Sequence, residues 1–151
     1  MGIKEDLAAA KAQMADRVKT PAIPCVVNGV VHELVFYRAE PEQWSLVTSI
    51  NPPRQYEGPD GEPHFVALDR RNGYNVAGVA RAISATCGRV LQDGEEVELS
   101  ADEWADLWRL LPPSTARTVE ANVWSLHEHD TEQEIARAKK ASQRRSRKKS
   151  S

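Results

Sequence analysis

Ser100-Ala101-Asp102-Glu103-Trp104-Ala105-Asp106-Leu107-Trp108-Arg109-Leu110-Leu111-Pro112-Pro113 is the stretch on which the fold turns. Ser100 followed three residues later by Glu103 is a capping box: each side chain satisfies a backbone N–H that the first turn of a helix leaves without a partner. Trp104, Leu107, Trp108 and Leu111 then recur at helical spacing on one face, and the two prolines stop the helix. Downstream, Val119, Val123 and Leu126, with Trp124 beside them, predict a second amphipathic helix packed antiparallel to the first. Upstream, Asn75 can cap a helix reaching Leu91, with Val79, Ile83, Cys87 and Val90 on one face and Asp93-Gly94 as the closing turn.

Further out the punctuation is denser. Pro41 suits the first turn of a short helix carrying Trp44, Val47 and Ile50, which Asn51-Pro52-Pro53 ends. Residues 54 to 73, rich in Gly and Pro, read as a mobile loop with a brief strand around Phe65, Val66 and Leu68. Cys25-Val26-Val27, Asn28-Gly29 and residues 30 to 38 read as a β-hairpin, because Asn-Gly accepts the positive φ angles of a tight hairpin turn. Ile3, Leu7, Ala10, Met14 and Val18 draw a narrow apolar stripe along an N-terminal helix that wants a partner surface. The expected class is mainly α, of the α+β kind: amphipathic helices packed with one N-terminal β-hairpin. Residues 1–20 form the N-terminal helix and 21–130 the hairpin and helical core. Residues 131–151 form a basic tail, disordered or a fraying helical extension.

The 151 residues suffice for one core without disulfides or metals. No stretch approaches the roughly 18 apolar residues that a membrane span requires, and the N-terminus lacks the apolar centre of a signal peptide. Cys25 and Cys87 stand apart among apolar neighbours and are expected as buried thiols. The net charge of −2 hides an asymmetry: residues 135 to 151 carry eight of the 20 basic residues and none of the 22 acidic ones. The rest therefore holds 12 bases against 22 acids, a net of −10.

His127-Glu128-His129-Asp130 combines ligand and acid-base residue types, but zinc-binding histidines on a helix sit four apart, and these two point to opposite sides. The stretch is expected as a solvated helix end. His32 and His64 have no nucleophile motif beside them, and Gly58 to Gly61 and Asn72-Gly73 lack the spacing and lysine of a phosphate loop. The acids between Asp93 and Asp106 do not alternate as a calcium loop requires and suit a solvated face leading into a helix N-terminus. No enzyme, cofactor or metal site is expected. Three of the four tryptophans lie on apolar helical faces; Trp124 is the exception, placed for a partner. The run Arg144-Arg145-Ser146-Arg147-Lys148-Lys149 can neutralise phosphates, yet has no interleaved aromatics for base stacking.

From Phe36 to Glu128 the order of motifs resembles the tail assembly chaperones of long-tailed phages infecting actinobacteria. The similarity lies in Glu40-Pro41-Glu42-Gln43-Trp44-Ser45-Leu46, in Asn51-Pro52-Pro53, and in Gly73-Tyr74-Asn75 stepping into a helix. It continues in Leu99 to Leu107, with its Ser-x-x-x-Trp-x-x-Leu pattern, and in the closing helix from Val119 to Leu126. The Asn28-Gly29 hairpin and the long loop before Tyr74 depart from that pattern. The resemblance implies a cytoplasmic protein of the infected bacterial host that coats the tape measure protein until tail tube subunits replace it, and that is absent from the mature virion. It implies no cofactor, and a longer form made by programmed frameshifting near Lys148-Lys149. Trp44, Trp104, Trp108, Trp124, Leu107 and Leu111 are the expected partner-binding residues. Self-association is open, and the alternatives are a nucleic-acid-binding accessory protein or a minor structural or connector virion protein.

Overall fold

The computed structural model describes residues 2–12 and 18–149. It mixes helix and sheet, and the sheet is larger than one hairpin supplies. Strands β1 (Ile23–Val27) and β2 (Val30–Phe36) pair across Asn28-Gly29, whose φ angles of 52° and 75° fit the tight turn. Helix α1 (Ile3–Ala12) precedes them, and α2 (Pro41–Ser49) follows. A small hairpin of β3 (Gln55–Glu57) and β4 (Pro63–Phe65) leads into α3 (Ala67–Asn72), α4 (Val76–Ala82) and the short α5 (Ser84–Cys87). Then come β5 (Gly88–Gln92) and β6 (Glu95–Val97), α6 (Ala101–Leu110), α7 (Pro113–Trp124), a π-helical turn (Ser125–His129) and α8 (Asp130–Lys149). The main sheet is antiparallel in the order β1-β2-β5-β6.

Several expectations need correction. The helix expected from Asn75 to Leu91 ends at Cys87, and residues 88 to 92 turn into β5. Val79, Ile83 and Cys87 do line one buried helical face, but β2 offers an unpaired ladder, and Val90 sits opposite Leu34 in it. Pairing outweighs the helical preference of Arg89 and Leu91, and β-branched Val90 favours the strand. Asp93 and Gly94, with φ of 52° and 81°, then close a second hairpin. The expected α6–α7 pair is also replaced: α7 packs on α4 and β1. Leu111 and Pro112 are extended, so the chain leaves α6 in a new direction. Residues 54 to 73 are a hairpin and a helix rather than a loop. Of the two readings of the tail, the structure has the helical extension, which runs to Lys149, consistent with its Ala, Gln, Arg and Lys content and its lack of Gly or Pro. Val18 is not helical, and its carbonyl accepts from the Arg38 N–H; Met14 lies outside the described residues. No helix among the described residues is long and apolar enough to cross a membrane.

The core lies between the sheet and the helices. Ile23, Cys25, Leu34 and Phe36 face Trp104, Leu107, Trp108, Val119 and Val123. Cys25 and Cys87 are both buried and outside any disulfide, and burial raises the pKa of Cys25. Trp104 is only 2% exposed and its ring stands 5.5 Å from that of Phe36. It reaches the sheet because Gly88, opposite Phe36 in the ladder, has no side chain. A Cβ there would lie 2.5 Å from Trp104 Cζ2 and 2.6 Å from the Ser84 carbonyl oxygen. Trp108 reaches past it to donate from Nε1 to Ser84 Oγ, 2.9 Å away. Gly88→Ala is expected to lower the unfolding free energy by about 1–3 kcal/mol, read from urea unfolding followed by Trp fluorescence. An unchanged midpoint would remove Gly88 from this role.

Candidate partner-binding surface

Four of the six residues expected to bind a partner belong to the core: Trp104, Leu107, Trp108 and Leu111 are each less than a tenth exposed. They hold the sheet to the helices, and a partner would meet other side chains. Trp44 and Trp124 are half-buried and reach the surface. Of the rest of the stripe on α2, Val47 is buried, while Ile50 and Leu46 point to solvent.

Trp124 forms one wall of a cleft of about 510 Å³ between α3, α4 and α7. Leu68, Val76 and Ala121 supply the remaining apolar lining, and Arg54, Arg117 and Glu120 the polar rim. The Trp124 indole is held by donating from Nε1 to Asn72 Oδ1 at 2.7 Å, and the His129 ring stacks beside it at 6.0 Å. Burial raises the pKa of Glu120, against the opposing pull of Arg81, Arg54 and Arg117. The rim thus offers two cations and a carboxylate beside an apolar floor.

One wall is set by a buried ion pair that no sequence motif announces. Asp69, 0% exposed, accepts from Arg54 Nε at 2.7 Å, Arg54 Nη2 at 3.1 Å and the Arg54 backbone N–H at 3.0 Å. It also accepts from the Val76 N–H at 3.3 Å, at the start of α4. Burial alone would raise its pKa, but these donors outweigh burial and hold the carboxylate below the usual range. The ion pair therefore ties the β3 end of the small hairpin to α3 and α4.

Behind the cleft the π turn closes the domain, and His127-Glu128 corrects the expectation of a solvated helix end. The His127 ring stacks on Trp44 at 3.9 Å and 7°. Its Nδ1 lies 2.8 Å from the Val123 carbonyl and its Nε2 accepts from the Ala39 N–H at 2.8 Å. Both contacts together require the neutral ring with the proton on Nδ1. Burial, first, and the Arg38 charge lower its pKa, against the Val123 carbonyl and Glu128. Glu128 Oε1 accepts from Trp44 Nε1 at 3.1 Å and from Tyr74 Oη at 3.2 Å. Burial first, and then Glu128, raise the pKa of Tyr74. Every polar atom described here is engaged in holding α2, α4 and the π turn together, which is a positioning role. Among the described residues no three His, Cys, Asp or Glu side chains cluster as metal ligands.

Sequence spacing marked His127 and Glu128 but not their long-range partners, Ala39, 88 positions from His127, and Trp44, 84 positions from Glu128. No family model, curated protein or solved structure matches this chain.

Two pH windows follow. A lowered folded-state pKa contributes stability above the unfolded value that is lost as pH falls. His127 contributes above about pH 6.5, its unfolded value, and Asp69 above about pH 3.9. Asp69→Asn is expected to cost about 3 kcal/mol at pH 7, with the gap from the parent protein narrowing only below about pH 4. His127→Gln should instead flatten the loss of stability between about pH 7 and 5. Urea midpoints across this range check both, and parallel pH profiles for parent and variants would refute the assignment.

Proposed function

We propose that this protein is a tail assembly chaperone of a long-tailed phage, binding the tape measure protein and keeping it soluble while the tail is built. The observation that carries this reading is the cleft of about 510 Å³ with Leu68, Val76, Ala121 and Trp124 on its floor and charges on its rim. Such a cleft suits the apolar stripe and flanking charges of an amphipathic client helix. The order of motifs from Phe36 to Glu128 supports the same reading. So does the acidic body, whose net charge of −10 opposes aggregation of a protein that offers apolar surface. Exposed Leu46 on α2 and Ile50 just after it, and Ile3 and Leu7 on α1, add apolar surface outside the cleft. Weak contacts repeated along a long client would combine through avidity, so no single site need bind tightly.

In this role the chain acts in the host cytoplasm, leaves when tail tube subunits polymerise, and does not enter the virion. Co-expression is expected to move an otherwise insoluble tape measure protein into the soluble fraction and to allow its pulldown. No gain in solubility and no pulldown would sink the chaperone reading. Leu68→Glu with Ala121→Glu, both at exposed positions, should weaken client binding at least about tenfold, about 1.4 kcal/mol, at an unchanged unfolding midpoint. Full binding by that variant would remove the cleft from the interface and leave the chaperone reading to the co-expression result. Retention in purified particles would favour a structural virion component instead.

A further inference from the structure

Helix α8 carries the whole basic tail, and its wheel sorts the charges. At about 100° per residue, Arg137, Lys140, Arg144, Arg147 and Lys148 fall within one arc of about 100°, while Lys139, Arg145 and Lys149 fall outside it. No acid follows Glu134. All described residues from Gln133 to Lys149 are exposed; the first turns of α8 stay on the body, where Glu134 pairs with Arg38 at 3.3 Å, and beyond them the helix leaves it as an arm.

We propose that the arc formed by Arg137, Lys140, Arg144, Arg147 and Lys148 binds the phosphate backbone of nucleic acid without regard to base sequence. The opposite arc holds Ile135, Ala138, Ser142, Ser146 and the cation Lys149. It lacks the row of bulky apolar side chains by which a helix enters a protein groove or a membrane interface. Charge complementarity is what remains, and a five-cation row is complementary to a polyanion. From Arg137 to Lys148 the row rises about 16 Å. Over that length one strand of duplex DNA presents about five phosphates, at about 3.4 Å each. No aromatic residue lies on the arm to stack on a base, so the contact is with the backbone. The acidic body would repel the same polyanion, which places the contact on the arm. This inference is independent of the cleft and of the chaperone reading.

The test is fluorescence anisotropy of the full chain with a labelled mixed-sequence duplex of about 30 base pairs, at several salt concentrations between about 50 and 200 mM. Five neutralised phosphates predict a fall in affinity of about 500-fold across that range. R137Q/K140Q/R144Q should reduce the salt slope by about three, whereas K139Q/R145Q/K149Q, with the same loss of charge, should leave it nearly unchanged. Circular dichroism checks that both variants keep their helix. Absence of binding by the parent protein at 50 mM salt would overturn the proposal, as would equal losses in the two triple variants. So would salt-dependent self-association in sedimentation velocity without DNA that only R137Q/K140Q/R144Q abolishes, if the duplex stays unbound. The row would then belong to the acidic body of a second copy.

Discussion

The fold depends on the contact between a tryptophan and a strand that has no side chain to keep it away. Trp104 lies against the β2–β5 ladder at Gly88 and beside Phe36. β2 and β5 come from distant parts of the sequence, and α6 follows directly from the second hairpin. The flat face at Gly88 therefore lets one indole close the sheet, α5 and α6 into a single core. Most of the remaining apolar burial, from Ile23 on β1 to Val119 and Val123 on α7, is organised around that plug. The Trp104 Nε1 finds no acceptor among the described residues. Close packing is thus achieved there at the expense of one hydrogen bond, a cost of about 1–3 kcal/mol that the burial of a large ring offsets.

Local chemistry was legible and tertiary choice was not. Ser100 and Glu103 form their reciprocal cap as expected, because both partners lie within one turn. Asn75 likewise caps α4 through Gly78. Residues 88 to 92 were misread since an apolar run following a helix continues its period until a distant strand competes for it. The partner surface was misplaced for a related reason. A tryptophan on an apolar helical face looks the same whether the face is covered or open, and only the packing of α6 against the sheet distinguishes Trp104 and Trp108 from Trp124.

The polar framework around the cleft was invisible from sequence. Arg54 and Asp69 stand in a Gly- and Pro-rich region with no periodic pattern, yet their ion pair fixes the approach of α3 to α4. His127 and Glu128 looked solvated since neighbouring residues on a helix face different ways. In the fold that divergence is used: adjacent side chains address different elements, His127 reaching Ala39 and Glu128 reaching Tyr74, with Trp44 contacted by both.

The π turn between α7 and α8 has a consequence for how this protein could diverge. A π turn accommodates one more residue than the α-helical path on either side of it. It therefore acts as a phase adjuster between the body and the arm. Adding or removing one residue after His129, where the turn passes into α8, would rotate the whole of α8 by about 100° about its axis while leaving Leu126, His127 and Glu128 in their places in the body. The direction in which the basic row faces is then inherited separately from the stability of the domain, and a single codon is enough to re-aim it.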